Sequence, residues 1–327
     1  MVILVTGSAG RVGRAVAAAL KAQGRAIRGF DLRASGLEDE IVGSLDDAGA
    51  VAKAMTGVTD VLHLGAFMSW APGDRERMFA ANVDGTRLLL DAASQAGVRR
   101  FVFASSGEVY PENNPQFLPV TEEHPLLPTS PYGLTKLLGE ELVRFHQRAG
   151  RMETVILRFS HTQDAAELLD EDSFFSGPRF FLRPRIRQQE SFGNTAVADI
   201  LRAADIGGPA HVLARNQDGR PFRMHITDTR DMVAGVLLAL DHKAAAGGAF
   251  NLGSDDPVDF AEILPQMAEL TDMPIVTVDL PGAGVYYHTS NEHIRSTLGF
   301  RPEWTIKRML DEAAAARRER QRGESRG

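Results

Sequence analysis

Short apolar runs alternate with longer amphipathic stretches through the first 160 residues. The apolar runs are rich in β-branched and aromatic residues, which predicts strands at VILVT (2–6), AIRGFD (26–31), DVLHLGA (60–66), FVFASS (101–106) and VILRFS (155–160). Helical patterns lie between them, and the longest runs from about residue 74 to residue 96. Strands that alternate with helices predict a parallel sheet covered on both faces.

The pattern changes after residue 160. Residues 161–224 contain FFSGPRFFLRPRIRQQE, which is aromatic, rich in arginine and interrupted by Pro178 and Pro184, and this is not typical of a sheet core. Beyond residue 224 we expect a helix capped by Thr227 or Asp228, strands at 250–254 and 274–278, and helices at 258–270 and 304–318. We therefore predict a doubly wound parallel α/β sheet of the Rossmann type, formed by residues 1–160 and 225–255. A smaller, discontinuous C-terminal lobe is predicted from residues 161–224 and 256–327.

Composition narrows the class of protein. The chain has 327 residues, of which 43% are hydrophobic, and this suits a large globular core. The net charge of −7 argues against a nucleic-acid surface, and the basic tail at 316–327 is interpreted as a solvated helix end. The absence of cysteine excludes disulfides, thiolate catalysis and thiolate zinc sites. The first apolar run is too short for a signal peptide and no stretch could span a membrane, so a cytoplasmic protein is predicted.

A glycine-rich turn directly follows the first strand. Gly7, Gly10 and Gly13 lie in VTGSAGRVG, between that strand and a helix. Glycines let the backbone approach a pyrophosphate, and the helix start offers free N–H groups to it. Asp31 ends the second strand, where an acid accepts hydrogen bonds from a ribose 2′-hydroxyl and repels a 2′-phosphate. Arg33 could accommodate such a phosphate, but the pattern as a whole favours NAD over NADP. Residues 1–160 and 225–255 are therefore predicted to form a dinucleotide-binding domain.

Tyr132 and Lys136 lie four residues apart in TSPYGLTK. Ser130 is a candidate cap and Pro131 suits a first helical turn, so the two side chains should share one helix face. A free phenol has a pKa of about 10, and a neighbouring ammonium is expected to lower that pKa. The phenolate could then take the proton of a hydroxyl while a hydride leaves the same carbon for nicotinamide.

These motifs together resemble those of the extended short-chain dehydrogenase/reductases in the NAD-dependent epimerase/dehydratase family. The resemblance is carried by TGSAGRVG, HLGA, ANVDGT, FASSGEVYP and SPYGLTK, and it covers most of residues 1–160 and, more loosely, 225–300. It implies that Ser106 completes a triad with Tyr132 and Lys136 and that Ser105 lines the cofactor. It also suggests a homodimer formed through helices near 75–97 and 130–148.

The resemblance extends to further cofactor contacts. It implies that Leu64, Gly65 and Ala66 flank the cofactor, that Asn82 lies near the catalytic helix, and that Ser44 and Leu45 lie near adenine. The predicted contact set is completed by Ala9, Arg11, Val12, Leu32, Arg33, Ala104, Phe159 and His161, together with Tyr132 and Lys136.

The second half of the chain departs from the family pattern. Nucleotide-sugar members typically have an asparagine where this chain has His161, and an Arg-x-Gly-Asp stretch where it has LPGAGVYYHTS, which keeps Gly282 and Gly284 only. Because a diphosphate needs positive charge and hydrogen-bond donors, these differences argue against a nucleoside-diphosphate sugar. Family dehydratases carry an acidic pair after the catalytic hydroxyl, whereas this chain has Gly107 and Glu108. Glu108 is therefore predicted to accept a hydrogen bond from a substrate hydroxyl.

Four arginines and two histidines are further candidates. Arg179, Arg183, Arg185 and Arg187 lie near four phenylalanines, at 174, 175, 180 and 181. Each arginine taken singly is interpreted as a solvated loop residue. For the group, two alternatives stay open: that one of the four, with Arg185 as the candidate, contacts the substrate, or that none does. His161 and His225 are interpreted as structural histidines, and neither has metal-ligand spacing, so no metal is predicted.

The leading hypothesis is an NAD-dependent oxidoreductase. It would oxidise or reduce a secondary alcohol of a small sugar, polyol or sugar acid, with Tyr132 as base, Lys136 lowering the Tyr132 pKa and anchoring the nicotinamide ribose, and Ser106 orienting the substrate oxygen. The first alternative is a nucleotide-sugar 4-epimerase or related lyase, which retains its cofactor. The second is a non-catalytic NAD(H)-sensing protein on the same fold.

Overall fold

A seven-stranded parallel sheet forms the centre of the computed structural model, which describes residues 1–69, 71–150 and 152–324. Its strands are β1 (Val2–Thr6), β2 (Ala26–Asp31), β3 (Glu40–Val42), β4 (Val58–His63), β5 (Arg100–Ser106), β6 (Glu153–Phe159) and β11 (Ala249–Leu252). The strand order is β11-β6-β5-β4-β1-β2-β3, and every neighbouring pair is parallel. The order reverses between β1 and β4, where open α/β sheets bind ligands at the carboxyl ends of the strands. This is the doubly wound fold that the alternating pattern predicted.

The helices cover both faces of the sheet and build the second lobe. They are α1 (Arg11–Ala22), α2 (Ala48–Met55), α3 (Arg75–Phe79), α4 (Gly85–Ala96), α5 (Pro131–Arg148), α6 (Ser176–Phe180), α7 (Leu182–Ser191), α8 (Thr195–Ala203), α9 (Thr229–Asp241), α10 (Phe260–Thr271), α11 (Glu292–Leu298) and α12 (Ile306–Glu324). Helix α9 is capped by the carboxylate of Asp228, which accepts a hydrogen bond from the backbone N–H of Arg230. One of the two predicted caps is therefore confirmed.

The long helix predicted near residues 74–96 is interrupted by a π-helical turn at Ala80–Asp84. This wide turn buries Asn82, whose Nδ2 donates to the backbone oxygen of Phe67 at 2.9 Å and to Thr135 Oγ1 at 3.1 Å. Such turns are frequent at functional sites. The turn therefore holds Asn82 against α5, which carries Tyr132 and Lys136, as the resemblance implied.

The arginine-rich stretch is helical rather than a loop, which corrects the sequence interpretation. Pro184 lies in the first turn of α7, where a missing N–H costs nothing, so it does not break the helix. Leu182, Pro184 and Ile186 are buried, whereas Arg183 and Arg187 are exposed. The apolar side of α7 packs into a separate core with α8, α10 and α12.

Short strand pairs complete the second lobe. They are β7 (His161–Gln163) with β10 (Ile226–Asp228), β8 (His211–Arg215) with β13 (Ile275–Asp279), and β9 (Arg223–Met224) with β12 (Val258–Asp259). The predicted domain boundaries stay a prediction. The basic tail continues α12 to Glu324, and residues 325–327 lie outside the described residues.

Among the described residues, no helix is both long and apolar enough to cross a membrane. No group of three or more His, Asp or Glu side chains in the same residues could hold a metal ion. The cytoplasmic location stays a prediction.

Candidate active site

The loop between β1 and α1 leaves no room for a side chain at Gly7 or Gly13. Gly7 has φ +69°, and a Cβ on it would lie 2.6 Å from Cα of Gly65. A Cβ on Gly13 would lie 2.0 Å from the backbone oxygen of Gly7. Helix α1 begins at Gly10 with no side-chain cap and no acidic residue in its first turn, so its first N–H groups are free to bind an anion. The loop therefore fits the pyrophosphate of a dinucleotide.

Asp31 is held beside this loop by two backbone N–H groups. Its Oδ2 accepts from Ala9 N at 3.0 Å and its Oδ1 from Arg33 N at 3.1 Å. The side chains of Leu32 and Arg33 are exposed. The carboxylate is thus fixed at the carboxyl end of β2, where a ribose hydroxyl would reach it.

A cavity of about 410 Å³ runs from the glycine loop to the second lobe. The predicted site residues that line it are Gly7, Gly10, Arg11, Val12, Gly13, Leu64, Ala104, Ser105, Ser106, Glu108, Tyr132, Lys136, Phe159, His161 and Arg185. Those that lie outside its lining are Ala9, Asp31, Leu32, Arg33, Ser44, Leu45, Gly65, Ala66 and Asn82. The cavity therefore joins the expected pyrophosphate and catalytic groups, while the residues expected near adenine lie beyond it.

The start of α5 brings Tyr132 and Lys136 to the end of β5. Ser130 Oγ accepts a hydrogen bond from Gly133 N at 2.9 Å, which confirms the predicted cap. Helix α5 approaches the turn after β5 so closely that a Cβ on Gly133 would lie 2.2 Å from the backbone oxygen of Glu108. Tyr132, Lys136 and Ser106 consequently line one wall of the same cavity.

The electrostatics of Tyr132 differ from the sequence prediction. Burial and the charge of Glu108 raise the pKa of Tyr132 above its ordinary value of 10.0 in the protein alone. Lys136 Nζ donates to the backbone oxygen of Ala104 at 2.7 Å and lies 5.7 Å from the centre of the Tyr132 ring. The expectation that the phenol pKa is lowered is wrong for this state, because burial and the charge of Glu108 both raise it. A protonated phenol is the form that can donate a proton to a carbonyl oxygen.

Lys136 is itself shifted toward neutrality. It is only 4% exposed, and burial lowers its pKa to about 8 although the charge of Glu140 acts to raise it. Glu140 accepts hydrogen bonds from Ser105 Oγ at 2.6 Å and from Nε and Nη2 of Arg158, each at 2.9 Å. Ser105 therefore lines the cavity while its hydroxyl is bonded to the buried Glu140, which lies one helical turn below Lys136.

Glu108 shares the cavity with a second carboxyl, Glu112, which the sequence analysis did not single out. Glu108 accepts a hydrogen bond from Ser130 Oγ, and a Cβ on Gly107 would lie 3.2 Å from Glu112 Oε1. Burial and the charge of Glu108 together raise the pKa of Glu112 to about 8, against the opposing effect of Arg179. Glu112 lies in a polar loop without a recognisable motif, so only the folded chain brings it to the site.

The protonation of Glu112 predicts a pH dependence of stability. Its pKa is about 8 in the folded chain and 4.5 ordinarily, so between these values the folded state binds more protons than the unfolded state. The free energy of unfolding should then fall as pH rises from 4.5 to 8. Glu112→Gln should flatten this fall by about 1 kcal/mol or more, measured by urea unfolding at pH 5 and pH 8. The exposed Glu123→Gln serves as control, and equal pH slopes for Glu112→Gln and the wild-type protein would contradict the assignment.

The four arginines divide into two pairs. Arg179 and Arg185 line the cavity, whereas Arg183 and Arg187 face solvent. Arg183 pairs with Asp205 at 3.3 Å. The cavity end of the second lobe is therefore positively charged through two residues, of which Arg185 was the predicted candidate.

The two histidines have different surroundings. His225 is fully buried, and both of its ring nitrogens are bonded, to Ser254 Oγ at 3.0 Å and to Thr289 N at 3.0 Å. It is thus a structural histidine. His161 lines the cavity, and burial together with the charges of Arg179 and His225 lowers its pKa to about 3, so it is neutral.

Positive charge also lies beside the stretch that lacks the Arg-x-Gly-Asp pattern. Arg220 Nη2 donates to the backbone oxygen of Ala283 at 3.3 Å, and its guanidinium lies 4.2 Å from the ring centre of Tyr286. Arg223 Nη1 donates to Tyr286 Oη at 3.3 Å, and its Nε is buried without a partner among the described residues. Arginines from another segment therefore lie beside this stretch, although neither of them lines the cavity.

Comparison with known proteins identifies the family and a similar solved structure. The sequence model of the NAD dependent epimerase/dehydratase family matches residues 3–163. The crystal structure of a short-chain dehydrogenase/reductase superfamily protein from Agrobacterium tumefaciens, solved with bound NAD, is 75% identical. It superposes with a TM-score of 0.98, and the match covers 100% of both chains.

Two more distant relatives are both named UDP-glucose 4-epimerase. A UDP-glucose 4-epimerase of Halalkalibacterium halodurans is 27% identical over 96% of this chain and 94% of its own length. The Thermotoga maritima UDP-glucose 4-epimerase, solved with UDP-glucose, is 21% identical with a TM-score of 0.78, covering 98% of this chain and 100% of its own. At that identity the structural match shows the fold alone.

Proposed function

Because this chain belongs to the short-chain dehydrogenase/reductase superfamily, in its NAD-dependent epimerase/dehydratase family, we propose that it transfers hydride between NAD and a secondary alcohol carbon of a sugar substrate. One observation carries the proposal: Ser106, Tyr132 and Lys136 line the same cavity as the glycine loop. The family description and the NAD-bound Agrobacterium structure bear out the predicted cofactor.

Each residue of the triad has a defined task in this proposal. Tyr132 Oη takes the proton of the substrate hydroxyl during oxidation and returns it to the carbonyl oxygen during reduction. Ser106 Oγ accepts a hydrogen bond from Glu108 N at 3.2 Å, which leaves its own proton free for the substrate oxygen. Lys136 donates to Ala104 O and keeps two further N–H groups for a ribose. When bound, NAD supplies the acceptor or donor of the hydride.

Two candidate enzymes differ in the fate of the oxidised intermediate. One releases it as product, and the other reduces it again before release. Net oxidation or reduction of a small sugar, polyol or sugar acid is the hypothesis that the sequence placed first. A nucleotide-sugar 4-epimerase, the alternative, uses the same proton transfers twice on one bound substrate. The full-length relatives favour the epimerase over net oxidation, and the arginines at 220 and 223 lie beside the stretch where a diphosphate grip was expected.

A direct assay separates the two candidates. The protein is incubated with NAD and sugars, polyols, sugar acids, UDP-glucose and UDP-galactose, and both reduced nicotinamide and interconverted sugars are measured. Epimerase activity should interconvert the UDP-sugars without net reduction of NAD, and NAD should stay bound during purification. Net accumulation of reduced nicotinamide with an unlinked sugar would instead establish the oxidoreductase. No hydride transfer with any member of the panel would contradict the proposed function.

A homodimer through α4 and α5 is also proposed. Two apolar side chains of α5, Leu134 and Phe145, are 40% and 59% exposed and are therefore available for contact with a second copy of the chain. Phe145→Glu should shift the mass measured by light scattering from dimer to monomer. The matched control is Ile206→Glu, which places the same charge at a site that is 57% exposed and far from α5 in the chain. A wild-type monomer, or a dimer that survives Phe145→Glu, would contradict this interface.

A further inference from the structure

Two half-buried arginines line the cavity and have few hydrogen-bond partners. Arg179 donates from Nη1 to Gln163 Oε1 at 3.2 Å. Among the described residues, Arg185 donates one long bond of 3.4 Å, from Nη1 to the backbone oxygen of Pro178, and its Nε is buried without a partner there. In native structures a buried N–H donor is normally hydrogen-bonded. Both guanidinium groups therefore keep donors for a partner that the described residues do not supply.

No carboxylate of the described residues neutralises this charge. None lies within 4.0 Å of either guanidinium in residues 1–69, 71–150 and 152–324. Glu112 acts on Arg179 when it is ionised, but its pKa of about 8 leaves it protonated near neutral pH. The charge of Arg185 lowers the pKa of Arg179, in addition to the larger effect of burial. The region thus holds two positive charges and a neutral carboxyl donor.

Phenylalanine rings lie near both guanidinium groups. Arg185 lies 5.4 Å from the ring centre of Phe222, and Arg179 lies 6.0 Å from that of Phe175. A phenylalanine side chain has no oxygen or nitrogen acceptor, so these contacts leave the planar fork of guanidinium donors for another group. That fork matches the two oxygens of a carboxylate.

We propose that Arg179 and Arg185 bind a carboxylate of the substrate, so that the sugar on which Tyr132 acts is a sugar acid. The proposal rests on the proposed function for the reacting carbon, but it holds for a free sugar acid and for a nucleotide-linked one. The carboxylate would occupy the second-lobe end of the cavity, and the reacting carbon the end at Ser106 and Tyr132. Glu112, as a neutral donor, would bond to an oxygen of the same substrate.

The test compares acids with their neutral counterparts. The probes are D-galacturonate against D-galactose, and UDP-glucuronate against UDP-glucose, each with the NAD-loaded protein. At least one acid should exceed its neutral partner by about tenfold or more in kcat/KM. Arg185→Met and Arg179→Met should each raise KM for that acid about tenfold or more, while KM for the neutral sugar changes less than about threefold. Arg187→Met, an exposed arginine on the same helix, should leave both unchanged.

A binding measurement keeps this test separate from the proposed function. Calorimetric titration of the acid into NAD-loaded Tyr132→Phe protein needs no turnover, and Arg185→Met should weaken this binding by the same factor. Acid binding that depends on the arginines, without any turnover, would support the carboxylate site and contradict only the hydride transfer. Arg185→Lys, which keeps the charge, should restore part of the affinity, whereas a folding defect would not be restored selectively.

Three results would overturn the proposal. The first is that no acid binds more tightly than its neutral partner. The second is an equal loss for UDP-glucuronate and UDP-glucose in Arg179→Met and Arg185→Met, which would assign these arginines to the diphosphate. The third is an Arg185→Met protein that keeps wild-type affinity for every acid.

Discussion

Replacing Tyr132 by phenylalanine is expected to lower kcat by about 10²–10⁴-fold, because the phenol is the group that exchanges a proton with the substrate oxygen. The side chain lines the cavity beside Ser106, and no hydrogen bond from its hydroxyl to the described residues stabilises the fold. The free energy of unfolding and the affinity for NAD should therefore change little. Single-turnover kinetics with NAD and the substrate identified by the assay panel would measure the loss.

Tyr110→Phe is the matched control for the loss of a phenol. Tyr110 is 1% exposed and lies outside the cavity lining, and its hydroxyl accepts from Arg158 Nη1 at 2.6 Å and donates to Asn251 Oδ1 at 2.8 Å. This variant should lose about 1–3 kcal/mol of stability with kcat nearly unchanged. A Tyr132→Phe protein that keeps wild-type turnover would exclude Tyr132 as the proton donor. Wild-type and Tyr132→Phe proteins that both lack turnover but share the same response to NAD(H) would favour the NAD(H)-sensing alternative.

Replacing Glu140 by glutamine is expected to destabilise the protein by about 3–5 kcal/mol. Glu140 is fully buried and bonded to Ser105, Arg144 and, on both oxygens, Arg158. Burial alone would raise the pKa of Glu140, but Arg158 and the hydrogen bonds lower it overall. Removing this carboxylate leaves the Arg158 guanidinium, which is 3% exposed, without its counter-charge. Urea unfolding at neutral pH would measure the loss.

The neighbouring Glu141→Gln provides the control. Glu141 pairs with Arg144 at 2.7 Å, but its side chain is 57% exposed, so its removal should change stability by less than about 1 kcal/mol. Glu140→Gln should also lower the pKa of Lys136 further, because the charge of Glu140 raises it. The pH profile of kcat/KM should then move only in Glu140→Gln. Equal stability for the two variants would show that the buried pair is not needed for the fold.

The sheet was predictable because its signals are local. Each strand is a short apolar run ended by glycine or a polar residue, and a buried parallel strand needs little else to be recognised. The predictions were weaker in the parts of the chain where contacts between distant residues decide the structure. The π-helical turn at Ala80–Asp84 is stabilised by Asn82 bonding to Phe67 and Thr135, and no periodicity reports those bonds. Helix α7 contains Pro184, which does not break the helix because it lies in the first turn.

The sequence by itself determined the dinucleotide-binding signature and the spacing of the catalytic pair. Glycine, aspartate, tyrosine and lysine act there through backbone conformation and helical spacing, which are properties of neighbouring residues in the chain. The tertiary structure alone decided the charge of the site, because pKa values depend on burial and on groups far apart in sequence. Burial holds Tyr132 and Glu112 protonated. The fold also places Arg179 and Arg185, but not the solvent-facing Arg183 and Arg187, in the lining of the same cavity as Ser106.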